Sequence, residues 1–245
     1  MRMFTLLSVF LTFGVLGGVR AHGEGELSDA AAVLSKAQAA AKQADIVRYT
    51  VQYLPSGWLT SRVPRIEGTV IVGDQSKWKL DRFRCDIKIR KPDSEETVEL
   101  TAGCDGEVYF LIDPRTKTAH EDMDPTVMGS NSRNVQRVVL SALGAAEPYS
   151  DEIKAEKKEL REAVKIGEVE CHQVYAKLTE REVLWFFSKT DFLPRRLERV
   201  ATNPAGEVAT VQLTVTGLVV NPKPSSNPFK LVVPEGYKKT DQFAD

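Results

Sequence analysis

Cysteine and histidine are scarce in this sequence, at three residues each. Cys171 and His172 are adjacent, a spacing that does not bring both side chains of a strand to one ion, so no zinc site is expected. The chain also lacks a Gly-x-Ser-x-Gly elbow, a phosphate-cradling glycine loop, a dinucleotide fingerprint and a paired-histidine metal motif. The acidic cluster of Glu121, Asp122 and Asp124 has neither the glycine nor the later glutamate of a calcium loop, and reads as solvated loop. With no credible nucleophile and base, the sequence offers nothing for a hydrolase, and no catalytic residue, cofactor or metal is expected. Charge of one sign is missing too. Lys and Arg total 33 against 34 Asp and Glu, which removes the electrostatic reason to expect a nucleic acid as partner.

Long apolar runs are confined to the N-terminus. Arg2 gives a short positive region, Phe4 to Val19 is almost wholly apolar, and Val19-Arg20-Ala21 has the small-residue pattern of a cleavage site. Residues 1–21 therefore read as a secretory signal peptide rather than a membrane span. The expectation is an exported or periplasmic protein, soluble once the peptide is removed, with residues 22–245 forming a single domain. An oxidising compartment permits one disulfide among Cys85, Cys104 and Cys171, and the spacings do not choose the pair.

Ser28 and Asp29 can cap a helix through the Ala-rich stretch that follows, where Val33, Leu34, Ala37 and Ala41 share one face. From Ile46 the period drops to two: Val47, Tyr49, Val51 and Tyr53 alternate with polar residues, as in a strand with one wet face. Further strands are expected in "RIEGTVIVGD", in "KWKLDRFRCDIKIR" with a bulge near Asp81-Arg82, in "TVELTA" and "EVYFLID" joined through Asp105-Gly106, and in "TKTAH". The pattern breaks between about Pro125 and Leu160. Here Val135, Val138, Val139, Ala142 and Leu143 suggest one amphipathic helix ending at Gly144, and "SDEIKAEKKEL" suggests a short surface helix. Alternation returns in "AVKIGEVECHQVYAKL", "REVLWFFS", "LPRRLERVA" and "EVATVQLTVTGLVV", and the chain closes with "FKLVVPEGY". "WFFSKTDFLPRRLE" is thus a strand, a tight turn and a returning strand. Arg195, Arg196 and Arg199 read as its wet face, with contact to an anionic head group as the lesser alternative.

The predicted fold is α+β and mostly β: a curled antiparallel sheet of about eleven strands, an incomplete half-barrel covered by the N-terminal and central helices. So broad a surface under so thin a lid should keep an apolar hollow, with candidate lining residues Trp78, Leu80, Phe83, Tyr109, Val138, Trp185, Phe187 and Leu213. Alternatively these side chains simply fill the core. Which strand parity faces inward stays open.

Several stretches together resemble the LolA/LolB-like superfamily of periplasmic lipoprotein carriers, which also includes lipid-binding and envelope-stress-sensing domains. They are the N-terminal helix, "GTVIVGDQSKWKL" beginning at Gly68, "CDGEVYFLIDPRTKTA", the "WFFSKTDFLPRRLE" hairpin and "FKLVVPEGYKK". Together they run from about Leu34 to Lys238, and no single motif is specific. The resemblance implies a half-open barrel closed by helices, taking lipid or lipoprotein acyl chains with no covalent chemistry, as in transport and sorting of outer-membrane lipoproteins. It further implies envelope membrane proteins as donor or acceptor partners, and a monomer is expected. The other implied role is an envelope sensor or protein-interaction domain on the same half-barrel. The chain departs from the pattern at Gly73-Asp74-Gln75, where the classical carriers have a basic residue followed by proline.

Overall fold

The computed structural model describes residues 29–76, 79–179, 181–223 and 227–244. The expected signal peptide, Ser28 and Trp78 lie outside the described residues. Helix α1 (Ala30–Lys42) starts where the Asp29 carboxylate accepts the Ala32 N–H at 2.7 Å, satisfying a donor that the first turn leaves unpaired. It buries Val33, Leu34, Ala37 and Ala41 on one face. The two branched side chains each contribute about 2 kcal/mol of apolar burial, while the alanines let the helix lie close to its neighbours.

The strands are β1 (Ile46–Pro55), β2 (Arg65–Gly73), β3 (Arg82–Arg90), β4 (Thr97–Asp105), β5 (Tyr109–Asp113) and β6 (Thr118–Asp122), then β7 (Lys157–Ile166), β8 (Val169–Lys177), β9 (Glu182–Ser188), β10 (Pro194–Thr202), β11 (Val208–Val220) and β12 (Lys238–Thr240). They form one sheet in the order β12-β6-β5-β4-β3-β2-β1-β11-β10-β9-β8-β7. All neighbours run antiparallel except β12, which lies parallel to β6. Strands β12 and β7 are the two edges and do not meet, so the sheet remains open.

Register settles the inward parity. Tyr53, Val51 and Val47 of β1 face Ile66, Gly68 and Val72 of β2, and Tyr53 and Val51 face Leu213 and Val215 of β11. That row continues through Leu197, Trp185 and Val174 on one side, and through Cys85, Ala102 and Leu111 on the other. With α1 and the segment between β6 and β7 packed on it, this face holds the main core. A smaller cluster, Ile166, Cys171, Tyr175, Leu184 and Phe186, lies on the opposite face at the β7–β9 end. Arg161 covers Tyr175 at 4.6 Å and Arg196 covers Phe186 at 5.6 Å, so basic stems roof this cluster where no helix does.

The structure departs from the sequence reading in several elements, and the expected strand "KWKLDRFRCDIKIR" is a strand only from Arg82. The expected strand "AVKIGEVECHQVYAKL" is two strands, because Gly167 at φ +59 turns the chain so that Ile166 pairs with Val169. Only Ser150–Lys154 (α3) of the expected surface helix is helical, since Lys157 onward already pairs with β8. The closing strand is displaced to Lys238–Thr240, and twelve strands result among the described residues.

The central helix is also shorter. It is α2 (Ser132–Val138), preceded by a 3-10 turn (Pro125–Asn131) and followed by another at Ser141–Leu143. At the break the buried Tyr49 hydroxyl donates to the Val138 carbonyl at 3.0 Å and accepts the Leu140 N–H at 2.8 Å. One side chain thereby satisfies the backbone groups that the broken helix exposes.

All three cysteines are buried free thiols. Cys85 sits opposite Ala102 and Cys104 opposite Phe83, so these two are diagonal neighbours, at a separation of about 7–8 Å that exceeds disulfide reach. Cys171 belongs to β8, in the cluster on the other face.

Candidate functional site: a cleft beneath the lid

The concave face is largely filled by its own side chains, and the hollow that matters lies at one end of it. There residues of the segment from Arg133 to Glu152 share with Val183 and Trp185 of β9 and Leu197 and Arg199 of β10 a cleft of about 520 Å³. Trp185, Leu197, Val139 and Leu140 supply apolar lining, and Arg137, Arg181 and Arg199 line the same space. The volume is within the range of small-molecule sites.

Strand alternation places Val183, Trp185 and Phe187 of β9 on the inward face. Trp185 and Phe187 stack at 5.7 Å and 14°, and Tyr149 stands edge-on to both, at 5.2 and 5.1 Å. Edge-to-face contacts of this kind add about 1 kcal/mol beyond area burial. Tyr149 adopts φ +56, a left-handed conformation that costs a non-glycine residue energy and is held here by packing. From α3 the buried Glu152 carboxylate accepts the Trp185 Nε1–H at 3.0 Å, which ties the lid to the sheet. At the lid's outer side Lys42 pairs with Glu147 at 3.0 Å, and Gln38 Nε2–H donates to the Pro148 carbonyl at 2.9 Å.

The electrostatics are uneven. Burial raises the Tyr149 pKa, with the charge of Glu152 adding to it, and its buried hydroxyl has no hydrogen-bond partner among the described residues. Burial lowers the Arg199 pKa; Tyr53 opposes this, Arg181 and Arg137 reinforce it, and Glu152 opposes it. Burial also raises the Tyr53 pKa, against the pull of the Arg137 and Arg199 guanidinium groups. No carboxylate of the described residues lies within ion-pairing distance of Arg137, Arg181 or Arg199.

Of the residues expected to line a hollow, Trp185 lines this cleft. Phe187 and Val138 are fully buried beside it, and Leu213 is buried further along the face. Phe83 and Tyr109 pair at 6.4 Å on β3 and β5, towards the other end of the sheet, where Tyr109 O–H donates to Asp81 at 3.3 Å. Leu80 is partly buried against the same core. The sequence reading missed Arg137, Tyr149 and Glu152, which fall where periodicity breaks, and placed Arg199 on a wet face. Arg199 pairs across the ladder with Val211 and Val183, inward-facing residues, whereas Arg195 and Arg196 are engaged by Asp191 and Glu198.

Among the described residues no helix is long and apolar enough to cross a membrane, and no group of three His, Cys, Asp or Glu side chains is placed to hold a metal. What fold and cleft define is an open antiparallel half-barrel with helices in its hollow and an amphipathic pocket beneath its lid. No protein-family model and no curated protein matches the sequence. Solved structures are similar over most of its length. LprF from Mycobacterium bovis is 11% identical, covering 82% of this chain and 97% of its own, with a TM-score of 0.49. An uncharacterized conserved protein from Thermus thermophilus is 13% identical, covering 85% and 96%, at 0.48. The lipoprotein LppX from Mycobacterium tuberculosis is 12% identical, covering 80% and 97%, at 0.46.

Proposed function

We propose that this protein is an exported, non-enzymatic carrier or binding protein for lipids or lipoprotein acyl chains, and that the cleft beneath the Arg133–Glu152 lid is its working site. The observation that carries the reading is the packing of Tyr149, in the lid, on Trp185 and Phe187 beside a cleft whose lid is built from α2, α3 and 3-10 turns instead of one long helix. Each methylene transferred from water to such a surface contributes about 0.8 kcal/mol, so even a partly inserted chain of about ten carbons gains several kcal/mol after ordering costs. Cargo would pass between donor and acceptor proteins of the cell envelope. No covalent step is required of any residue.

The test is uptake. Purified protein should bind a fluorescent fatty acid, or carry lipid detectable by mass spectrometry of the native sample. A lipid-free protein that excludes every such probe overturns the reading.

A further inference from the structure

Among the described residues Arg84, Arg90, Arg115, Arg161, Arg195 and Arg196 each have a carboxylate partner. Arg137, Arg181 and Arg199 come from three separate elements, the lid, the turn before β9 and strand β10, and converge on the cleft with no such partner among the described residues. Three acids line the cleft: Glu147 is held by Lys42, Glu152 accepts from Trp185, and Asp151 also borders the neighbouring hollow. Tyr149 lines the same cleft, and its buried hydroxyl has no hydrogen-bond partner among the described residues. A second hollow of about 890 Å³ shares Asp151 and Arg181 with the cleft, and there Lys154, Lys157 and Lys177 outnumber Asp151 and Glu156. In a chain of net charge −1, that is a local excess of positive charge running from the mouth to the floor.

Resting on the lipid-binding reading above, we propose that the cleft is a head-group site for an anionic phospholipid, with the phosphate held by Arg137, Arg181 and Arg199 and the chain laid against Trp185. Guanidinium forks match phosphate geometry, and charge-assisted bonds made out of bulk water are the strong ones. A phosphate presents acceptor oxygens in several directions, which suits donors arriving from lid, turn and strand at once. It also supplies the counter-charge that lowers the cost of keeping Arg199 charged beside two like neighbours. The bound anion would bridge the lid to β10, so cargo and lid closure become coupled.

The experiment is displacement of a fluorescent fatty-chain probe by oleoyl lysophosphatidic acid, by monooleoylglycerol with the same chain and no charge, and by glycerol phosphate with the charge and no chain. It is run on the wild-type protein, on Arg137→Gln/Arg199→Gln, and on Arg181→Gln, whose exposed position keeps the fold safe. The wild type should prefer the phospholipid over the neutral lipid by about tenfold or more, a preference that weakens with salt and falls towards unity in both variants. Equal binding of the two lipids by the wild type, or an unchanged preference in folded variants, overturns the head-group site and leaves lipid binding standing. Competition by glycerol phosphate as strong as that of the phospholipid overturns the lipid as source of the anion. If the probe itself is never bound, the lipid-binding reading fails first, and the inference with it.

Discussion

The hydroxyl of Tyr49 on β1 accepts the backbone N–H of Leu140 at 2.8 Å while donating to the Val138 carbonyl at 3.0 Å, so a strand residue holds the point where the central helix stops. Beyond that point Val139 is extended and the chain turns over the cleft. Lid shape therefore depends on one buried side chain. Tyr49→Phe keeps the packing and orphans both backbone groups, and should cost about 1–3 kcal/mol in urea denaturation. A loss of only a few tenths would mean that the lid rearranges freely to satisfy itself.

Trp185 and Phe187 are stacked neighbours with different expected roles. Trp185→Asp should abolish fatty-acid uptake by placing a charge on the apolar wall of the cleft, and unchanged uptake in a folded variant would move the site elsewhere. Phe187→Ala, at a fully buried position, should instead lower stability by about 3–5 kcal/mol, read from the denaturation midpoint.

The Lys42–Glu147 pair is exposed and should contribute little, within about 0.5 kcal/mol of stability when Glu147 becomes Ala. Because it tethers α1 to the lid, the same variant should exchange bound probe faster. Slower or unchanged release in stopped-flow displacement would show that the tether plays no part in gating.

Burial pushes the thiols of Cys85 and Cys104 up to about 12 and that of Cys171 to about 11, from an ordinary value of 9.0. At pH 8 the folded protein should show almost no thiolate and react slowly with aromatic disulfide reagents, whereas all three thiols should titrate after denaturation. The folded pKa values lie above the unfolded ones, so this contribution to stability is complete below about pH 9 and fades as pH rises towards 12. Burial also raises the Tyr49 and Tyr149 pKa values, which adds to the alkaline loss. A denaturation midpoint independent of pH between 8 and about 11 would contradict this burial.

Much of the sheet was legible because a half-buried strand writes its register into the sequence. The alternation of Val47, Tyr49, Val51 and Tyr53 with polar residues marks an inward face, and Asp105-Gly106 and "SKTDFLP" mark turns by local chemistry. The lid was harder to read. The apolar positions from Val135 to Leu143 fit one continuous helix, and what interrupts them is a hydroxyl about ninety residues earlier in the chain, beyond the reach of any local pattern. Gly167 was visible as a residue but not as a turn, since alternation continues on both sides of it.

The cleft divides along the same line. The amino-acid sequence by itself determined the aromatic β9 strand, a thin helical cover and the absence of catalytic motifs, because each is a matter of composition and spacing along a short stretch. Only the tertiary structure decided that most of the candidate aromatics fill the core, that Tyr149 stands edge-on to Trp185 and Phe187, and that Arg137, Arg181 and Arg199 share one space. The reason is physical: whether a side chain on the inward face closes a void or borders one depends on what packs opposite, and the opposing atoms come from residues tens of positions away.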